Sequence, residues 1–182
     1  MEANNFPLIQ FKGNIHLINN NNELLKVVEQ LKSAKQLGFD TETRASFKKG
    51  EVYKVALLQL ATDEDAFLIR LHGMNNFEII KSILENPDVL KVGVAIRDDL
   101  KNLQKLFNFR PENFTELQDL AKQKGLQNFG LKGMTEEIFQ SRLSKAAKTT
   151  NWEVPQLTAQ QVLYAATDAW IGLQLYKAIS LK

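Results

Sequence analysis

The stretch GFDTETRAS, residues 38–46, places two carboxylates one residue apart directly after an apolar run. In an extended strand, residues i and i+2 point to the same face, so Asp40 and Glu42 would project side by side. Two like charges at that distance repel, and each raises the pKa of the other. A cation between them would remove this cost. The alternative is a pair of carboxylates at a solvated strand end, and this stretch alone supports both interpretations equally.

The composition is typical of one globular domain. The chain has 182 residues, of which 44% are hydrophobic and 24% charged. No apolar run reaches membrane-spanning length, and the start of the sequence, MEANNFPLIQ, lacks the features of a signal peptide. There is no cysteine, which excludes disulfides, thiolate catalysis and a cysteine-ligated zinc site. We therefore expect a single domain over residues 1–182, without membrane contact and with a cytoplasmic location.

The pattern of apolar residues predicts alternating helices and strands. Helical spacing predicts helices at 22–35, 77–86, 97–107, 131–139 and 158–181. Thr115 with Gln118 suggests a capping box that opens a helix at 115–125, and Thr158 with Gln161 suggests a second capping box that opens the last helix. Apolar runs predict strands at 36–43, 53–62, 66–71 and 89–95. The short turn between the second and third strands favours an antiparallel hairpin. This order predicts an α/β domain with a mixed sheet.

A second acidic site lies in VGVAIRDDLKNL, residues 92–103, which passes from a buried strand into a helix. Asp98 and Asp99 stand at the junction, and strand-to-helix junctions at the carboxyl end of a sheet are where α/β proteins place ligands. Aspartate is also favoured near helix N-termini, so helix capping is the alternative. One aspartate could cap the helix while the other binds a metal.

The last predicted helix contains a third acidic site, LYAATDAW, residues 163–170. Tyr164 and Asp168 are four residues apart and therefore share one helical face. An aspartate in the middle of a helix gains nothing from capping and has a mediocre helix propensity. Its alanine neighbours would permit another element to approach closely. An exposed polar side chain is the alternative for Asp168.

These sites could together supply four carboxylates, from Asp40, Glu42, Asp99 and Asp168. Oxygen ligands of this kind suit magnesium or manganese. Two such ions about 4 Å apart are a known device for phosphoryl transfer. The carboxylate set therefore predicts a site for divalent cations.

In sequence order, FDTET, GVAIRDDLKNL and YAATDAW resemble the three motifs of the DEDD (DnaQ-like) superfamily of 3′–5′ exonucleases, in its tyrosine-containing branch. The segment GLKGMTEEIFQSRLSKAAKTTNWEVPQLTAQQ is similar to the exonuclease domain of the Werner helicase and to RNase D. The resemblance covers about residues 12–181. It implies a ribonuclease H-like fold with a five-stranded mixed sheet flanked by helices. The fifth strand would be formed by residues 15–18 or by a segment near Thr115.

The resemblance also implies a role for each acidic residue of the motifs. Asp40 would bridge two metals, and Glu42 would bind the more tightly held metal together with Asp168. Asp99 would contact the second metal directly or through water. It is preferred over Asp98 because the family's aspartate lies six residues after the motif's glycine.

Tyr164 would orient the attacking water in this branch of the superfamily.

Two basic segments, residues 44–54 and 141–152, could hold a nucleic acid, because cations follow phosphates and rings stack on bases. An ordinary charged loop is the alternative for both segments. The candidate contacts are Arg44, Lys48, Lys49, Arg142, Lys145 and Lys148.

The resemblance thus implies a metal-dependent 3′–5′ exonuclease that uses two divalent ions, Mg²⁺ or Mn²⁺, and releases nucleoside 5′-monophosphates from DNA or RNA 3′ ends. The Werner-like motifs favour DNA, and the kinship with RNase D leaves RNA open. DNA repair is one of several roles found in the family. The alternative is a catalytically silent nucleic-acid-binding or scaffolding domain, which is disfavoured because all four carboxylates and the tyrosine are retained.

Overall fold

A computed structural model describes residues 5–182 and shows a six-stranded sheet with helices on both faces. The strands are β1 (Asn14–Ile18), β2 (Gln36–Thr43), β3 (Val55–Ala61), β4 (Asp65–Arg70), β5 (Leu90–Gly93) and β6 (Phe114–Glu116). The helices are α1 (Asn21–Leu25), α2 (Val28–Ser33), α3 (Glu78–Leu84), α4 (Ile96–Gln104), α5 (Leu117–Gln123), α6 (Leu131–Phe139) and α7 (Ala159–Ser180). The predicted α/β class is confirmed.

The sheet has the strand order β1-β4-β3-β2-β5-β6 and is mixed. β2, β3 and β4 form an antiparallel meander, as the short turn between β3 and β4 predicted. β1 adds parallel to β4, and β5 and β6 add parallel on the other side of β2. β2 therefore lies inside the sheet, and its carboxyl end carries Asp40 and Glu42.

The prediction of five strands was one too few. Residues 15–18 and the segment near Thr115 were alternatives for the fifth strand, and both form strands, β1 and β6. The capping box proposed at Thr115 was wrong, because Thr115 lies inside β6. Glu116 is the N-cap of α5, and its side chain accepts a hydrogen bond from the Gln118 amide at 3.1 Å.

Two of the predicted helices test the use of local signals. The single helix predicted at 22–35 is divided into α1 and α2, which keep Leu24, Val28 and Leu31 buried on one side of the sheet. The capping box predicted for the last helix is present: the Thr158 hydroxyl accepts from the Gln161 amide at 3.1 Å, and the Gln161 side chain accepts from the Thr158 amide at 3.0 Å.

Helix α7 crosses the face of the sheet opposite α1–α4 and packs closely on β2. A Cβ atom on Gly38 would lie 1.9 Å from the carbonyl oxygen of Ala169, so only glycine allows this approach. Ala165, Ala166 and Ala169 are fully buried against the same face. The small residues on both elements bring the middle of α7 to the carboxyl end of β2.

No helix in the described part of the chain is long and apolar enough to cross a membrane.

Candidate active site

Three carboxylates from β2 and α7 converge at the carboxyl end of β2. One oxygen from each of Asp40, Glu42 and Asp168 lies within 4.8 Å of the other two. Asp40 and Glu42 share a face of the strand because they are two residues apart, and that face is the one that α7 covers. The approach of α7 over Gly38 places Asp168 beside both.

Asp99 reaches the same region from α4. It lines a cleft of about 650 Å³ with Asp40, Tyr164 and Asp168. The Thr41 hydroxyl donates a hydrogen bond to Asp99 Oδ1 at 2.6 Å, while the Thr41 amide donates to Asp40 Oδ1 at 2.9 Å. One residue of β2 therefore contacts carboxylates on both sides of the strand. Asp98 is exposed and does not line this cleft.

The junction before α4 is held by the side chain of Glu116. Ala95 adopts a left-handed conformation with φ 55°, which a residue other than glycine rarely adopts. Glu116 accepts from the Ala95 amide at 2.8 Å through one oxygen and from the Ile96 amide at 2.8 Å through the other. These bonds satisfy amides at the start of the helix that have no partner within it. Glu116 thereby fixes the turn from which Asp99 extends.

Gln59 is the buried polar neighbour of the carboxylates. It is opposite Asp40 in the β2–β3 register and has no exposed surface. Its amide nitrogen lies 3.5 Å from Glu42 Oε1 and 3.5 Å from the Ala165 carbonyl oxygen, and its Oε1 atom has no partner. Gln59 therefore connects β3 to Glu42 and to α7.

The carboxylates share a low-dielectric environment that favours their neutral forms. Burial is the main cause in each case. It raises the pKa of Glu42 to about 8, with repulsion from Asp168, and the pKa of Asp168 to about 7. The pKa of Asp40 is raised well above its ordinary value by burial and by its acidic neighbours, and that of Asp99 rises to about 6. Lys148 opposes the shift at Glu42 and Asp168.

This environment fits a divalent cation. Three acidic side chains held this close repel one another when ionised, and a bound cation would relieve that repulsion. The donors are carboxylate oxygens, which suit hard ions such as Mg²⁺ or Mn²⁺. The residues present therefore match the chemistry of such an ion.

Tyr164 stands one helical turn before Asp168 and lines the same cleft. Its ring packs near Trp152, with ring centroids 6.0 Å apart. Burial, together with the nearby carboxylates, raises the pKa of the Tyr164 hydroxyl above its ordinary value. A hydrogen bond from this hydroxyl in turn lowers the pKa of Asp168. Without a cation, Tyr164 therefore keeps its proton and acts as a donor.

The sequence of the chain matches a known protein family over most of its length. The profile of the 3′–5′ exonuclease family matches residues 15–182, which include every carboxylate of the site. The chain belongs to the 3′–5′ exonuclease family. The predicted kinship with the Werner exonuclease and RNase D is thereby confirmed at the level of the family.

Individual relatives of this family member agree with that assignment. The chain is 32% identical over 185 residues to the bifunctional 3′–5′ exonuclease/ATP-dependent helicase WRN of Mus musculus. The alignment covers 96% of this chain and 13% of WRN. It is 31% identical to a 3′–5′ exonuclease of Arabidopsis thaliana, over 97% of this chain and 67% of that protein. The chain thus spans only a small part of WRN.

The fold agrees with a solved structure of the family. Escherichia coli RNase D, described as an exoribonuclease involved in structured RNA processing, superposes with a TM-score of 0.83 at 25% identity. The match covers 95% of this chain and 45% of that one. This similarity supports the ribonuclease H-like fold of the exonuclease family.

The six predicted nucleic-acid contacts lie in different surroundings in this family member. Lys145 and Lys148 line the carboxylate cleft. Arg44 and Lys48 line a separate cavity of about 290 Å³, while Lys49 is exposed and lines neither. Arg142 is exposed, and its backbone pairs with the segment around Pro7–Ile9. The structure therefore brings two of the six to the carboxylates.

Sequence reasoning missed several residues that contact the carboxylates or their cleft. Gln59 had a recognisable signal, since it is the only polar residue in the otherwise apolar strand VALLQLA. Lys132, which lines the cleft near Lys145, had no distinguishing signal. Thr41 and Glu116 also had none, because their roles depend on partners distant in sequence.

Proposed function

We propose that this chain is a metal-dependent 3′–5′ exonuclease that hydrolyses nucleic acid from the 3′ end to nucleoside 5′-monophosphates with two divalent ions. The observation that carries the proposal is the convergence of Asp40, Glu42 and Asp168 within 4.8 Å, in a chain of the exonuclease family. Mg²⁺ or Mn²⁺ is the proposed ion, on the grounds of the oxygen-only donor set.

The residues divide naturally between two sides of the cleft. Asp40, Glu42 and Asp168 would hold one cation from β2 and α7, and Asp99 would contribute from α4 to a second, with Asp40 shared between them. Cations bound in this way activate water and stabilise the leaving oxygen in phosphoryl transfer. Thr41 keeps Asp99 oriented towards this side of the cleft through its 2.6 Å hydrogen bond.

The remaining side chains would handle water and phosphate. Tyr164, with its hydroxyl protonated and near Asp168, would orient the attacking water. Lys145 and Lys148 line the cleft and would attract the phosphates of the substrate. Attraction has to be local, because the formal net charge of the chain is only +2.

The proposed substrate is a polynucleotide 3′ end, with DNA favoured over RNA. The ground for DNA is the resemblance of the motifs to the Werner exonuclease, whereas the description of Escherichia coli RNase D as an exoribonuclease supports RNA. We also keep two predictions from the sequence: one exonuclease domain over 1–182, with its core at about 12–181, and a cytoplasmic location.

A direct test uses 5′-labelled strands of DNA and RNA, single-stranded or recessed in a duplex. We expect a ladder that shortens from the 3′ end with Mg²⁺ or Mn²⁺ and disappears in EDTA and in Asp40→Ala. Asp98→Ala is the matched control, since its side chain is exposed outside the cleft. Binding without any ladder on all substrates would contradict the proposal and favour a silent nucleic-acid-binding domain.

A further inference from the structure

The segment that follows β2, residues 44–54, forms a structured loop next to the candidate site; we call it the 44–54 loop. Its base is fixed at Arg44, two residues after Glu42. The Arg44 guanidinium lies 4.6 Å from the centre of the Tyr53 ring and 3.6 Å from the Glu153 carboxylate. The Tyr53 hydroxyl donates to Glu51. The two ends of the loop are therefore held together.

The tip of the loop is an ordered turn. The Lys48 carbonyl oxygen accepts from the Ser46 hydroxyl at 3.1 Å and from the Glu51 amide at 3.2 Å. Gly50 has φ +82°, a conformation that glycine adopts without strain. These two hydrogen bonds close the turn without the side chain of Phe47.

Phe47 is presented to solvent. Its exposed fraction is 82%, compared with 36% for Phe129, the other exposed phenylalanine among the described residues. Val52, on the far side of the turn, is 81% exposed. Lys48 and Lys49 follow Phe47 directly and are also exposed. An aromatic ring flanked by cations matches what single-stranded nucleic acids bind, because the ring stacks on bases and the cations follow phosphates.

The loop is connected to the carboxylate cleft through one basic segment. Arg44, Phe47 and Lys48 line a cavity together with residues 149–151. The same segment carries Lys145 and Lys148, which line the cleft. A strand could therefore pass from the cleft, along residues 145–151, to the tip of the 44–54 loop.

We propose that the 44–54 loop holds the unpaired strand behind the 3′ end, with Phe47 stacked on a base and Lys48 and Lys49 on its phosphates. The inference rests on the proposed function, because it places the 3′ end at the carboxylates. It adds a substrate class: single-stranded ends or 3′ overhangs long enough to reach the loop, in preference to blunt duplexes. The cations beside the ring favour this polyanion over an apolar protein surface.

Binding measured in EDTA tests the loop without requiring catalysis. Single strands with 2-aminopurine at successive positions from the 3′ end report stacking by fluorescence quenching. We expect one internal position to be quenched by the wild-type protein, and Phe47→Ala to remove that quenching and weaken binding about tenfold. Phe47→Tyr should restore both, because it keeps the ring.

Leu25→Ala is the control. Leu25 is an exposed apolar residue on α1, which lies on the face of the sheet opposite α7. It should bind as the wild type does. In Lys48→Ala/Lys49→Ala, the dependence of affinity on salt should become shallower by about one to two units in slope. Wild-type affinity and quenching in Phe47→Ala would overturn the proposal.

The two proposals fail separately. If the wild-type protein quenches the internal base through Phe47 but yields no ladder with any metal, the loop assignment stands and the exonuclease proposal fails. If a ladder forms and Phe47→Ala shortens single strands and blunt duplexes with the same kinetic constants as the wild type, the exonuclease proposal stands and the loop assignment fails.

Discussion

Asp98 and Asp99 are neighbours in the chain with different surroundings. Asp99 lines the cleft and accepts from Thr41, whereas Asp98 is exposed. We expect Asp99→Ala to lower kcat/KM by about 10²-fold or more, the size of loss found when a group acting on transition-state charge is removed. Steady-state hydrolysis of a labelled strand measures the effect.

The same assay on Asp98→Ala provides the comparison. Its kcat/KM should stay close to that of the wild type, and both variants should keep the wild-type circular dichroism spectrum. Equal losses of kcat/KM in the two variants would show that the effect comes from the start of α4 or from general electrostatics. They would contradict a specific role for Asp99 in catalysis.

The contact between β2 and α7 is the element on which the three-carboxylate cluster depends. In Gly38→Ala, the new Cβ atom would lie 1.9 Å from the Ala169 carbonyl oxygen, so the helix must move away. We expect a loss of about 1–3 kcal/mol in the free energy of unfolding, as for other overpacked cores. Urea denaturation measures it, and Mn²⁺ titration should show weaker binding.

Gly172→Ala, in the same helix, is the matched control. A Cβ atom there meets nothing closer than 3.9 Å, and replacing a helical glycine by alanine raises stability by about 0.5–1 kcal/mol. Loss of stability in both variants would contradict the role assigned to close approach at Gly38.

The junction between β5 and α4 makes a second prediction at this scale. Glu116→Ala removes the acceptor of the Ala95 and Ile96 amides, so we expect the free energy of unfolding to fall by about 1–2 kcal/mol. Kcat should fall as well, because Asp99 extends from that turn. Urea denaturation and single-turnover hydrolysis measure the two effects. Glu29→Ala, an exposed acid on α2, should change neither.

Without a bound metal, the carboxylate cluster should make the whole molecule less stable as the pH rises from about 5 to about 8. Burial places the pKa of Asp99 at about 6, that of Asp168 at about 7 and that of Glu42 at about 8, all above the unfolded values. Between about pH 4 and about pH 8, the folded protein therefore holds more protons than the unfolded chain. The stability that these carboxyl protons contribute is fully present below about pH 4 and is lost as the pH rises through 6 to 8.

Thermal melts in EDTA should show this as a falling Tm from about pH 5 to about pH 8. Asp40→Asn should flatten the fall, since it removes one of the interacting charges. Excess Mn²⁺ should raise the Tm most at the upper end of the range, because a cation binds the ionised carboxylates. A Tm that is constant or rising with pH in EDTA would contradict the electrostatics of the cluster.

Local signals anticipated much of the architecture and failed at identifiable places. The period of apolar residues located β2 to β5 and the last helix, whose capping box is formed as predicted. The capping signature misassigned Thr115. A threonine three residues before a glutamine occurs at the start of helices, but the same residues are also compatible with a short parallel strand. Only the pairing of β6 with β5 decides between them.

Short-range order in the sequence determined which residues could form the site. Alternation along β2 places Asp40 and Glu42 on one face, and helical spacing places Tyr164 with Asp168, whatever the remainder of the chain does. The tertiary structure decided how these pairs meet. Thr41 bonds Asp99 across 58 positions, and Gln59 bridges to Ala165 across 106. Such contacts depend on the packing of α7 and α4 against the sheet, which no local pattern encodes.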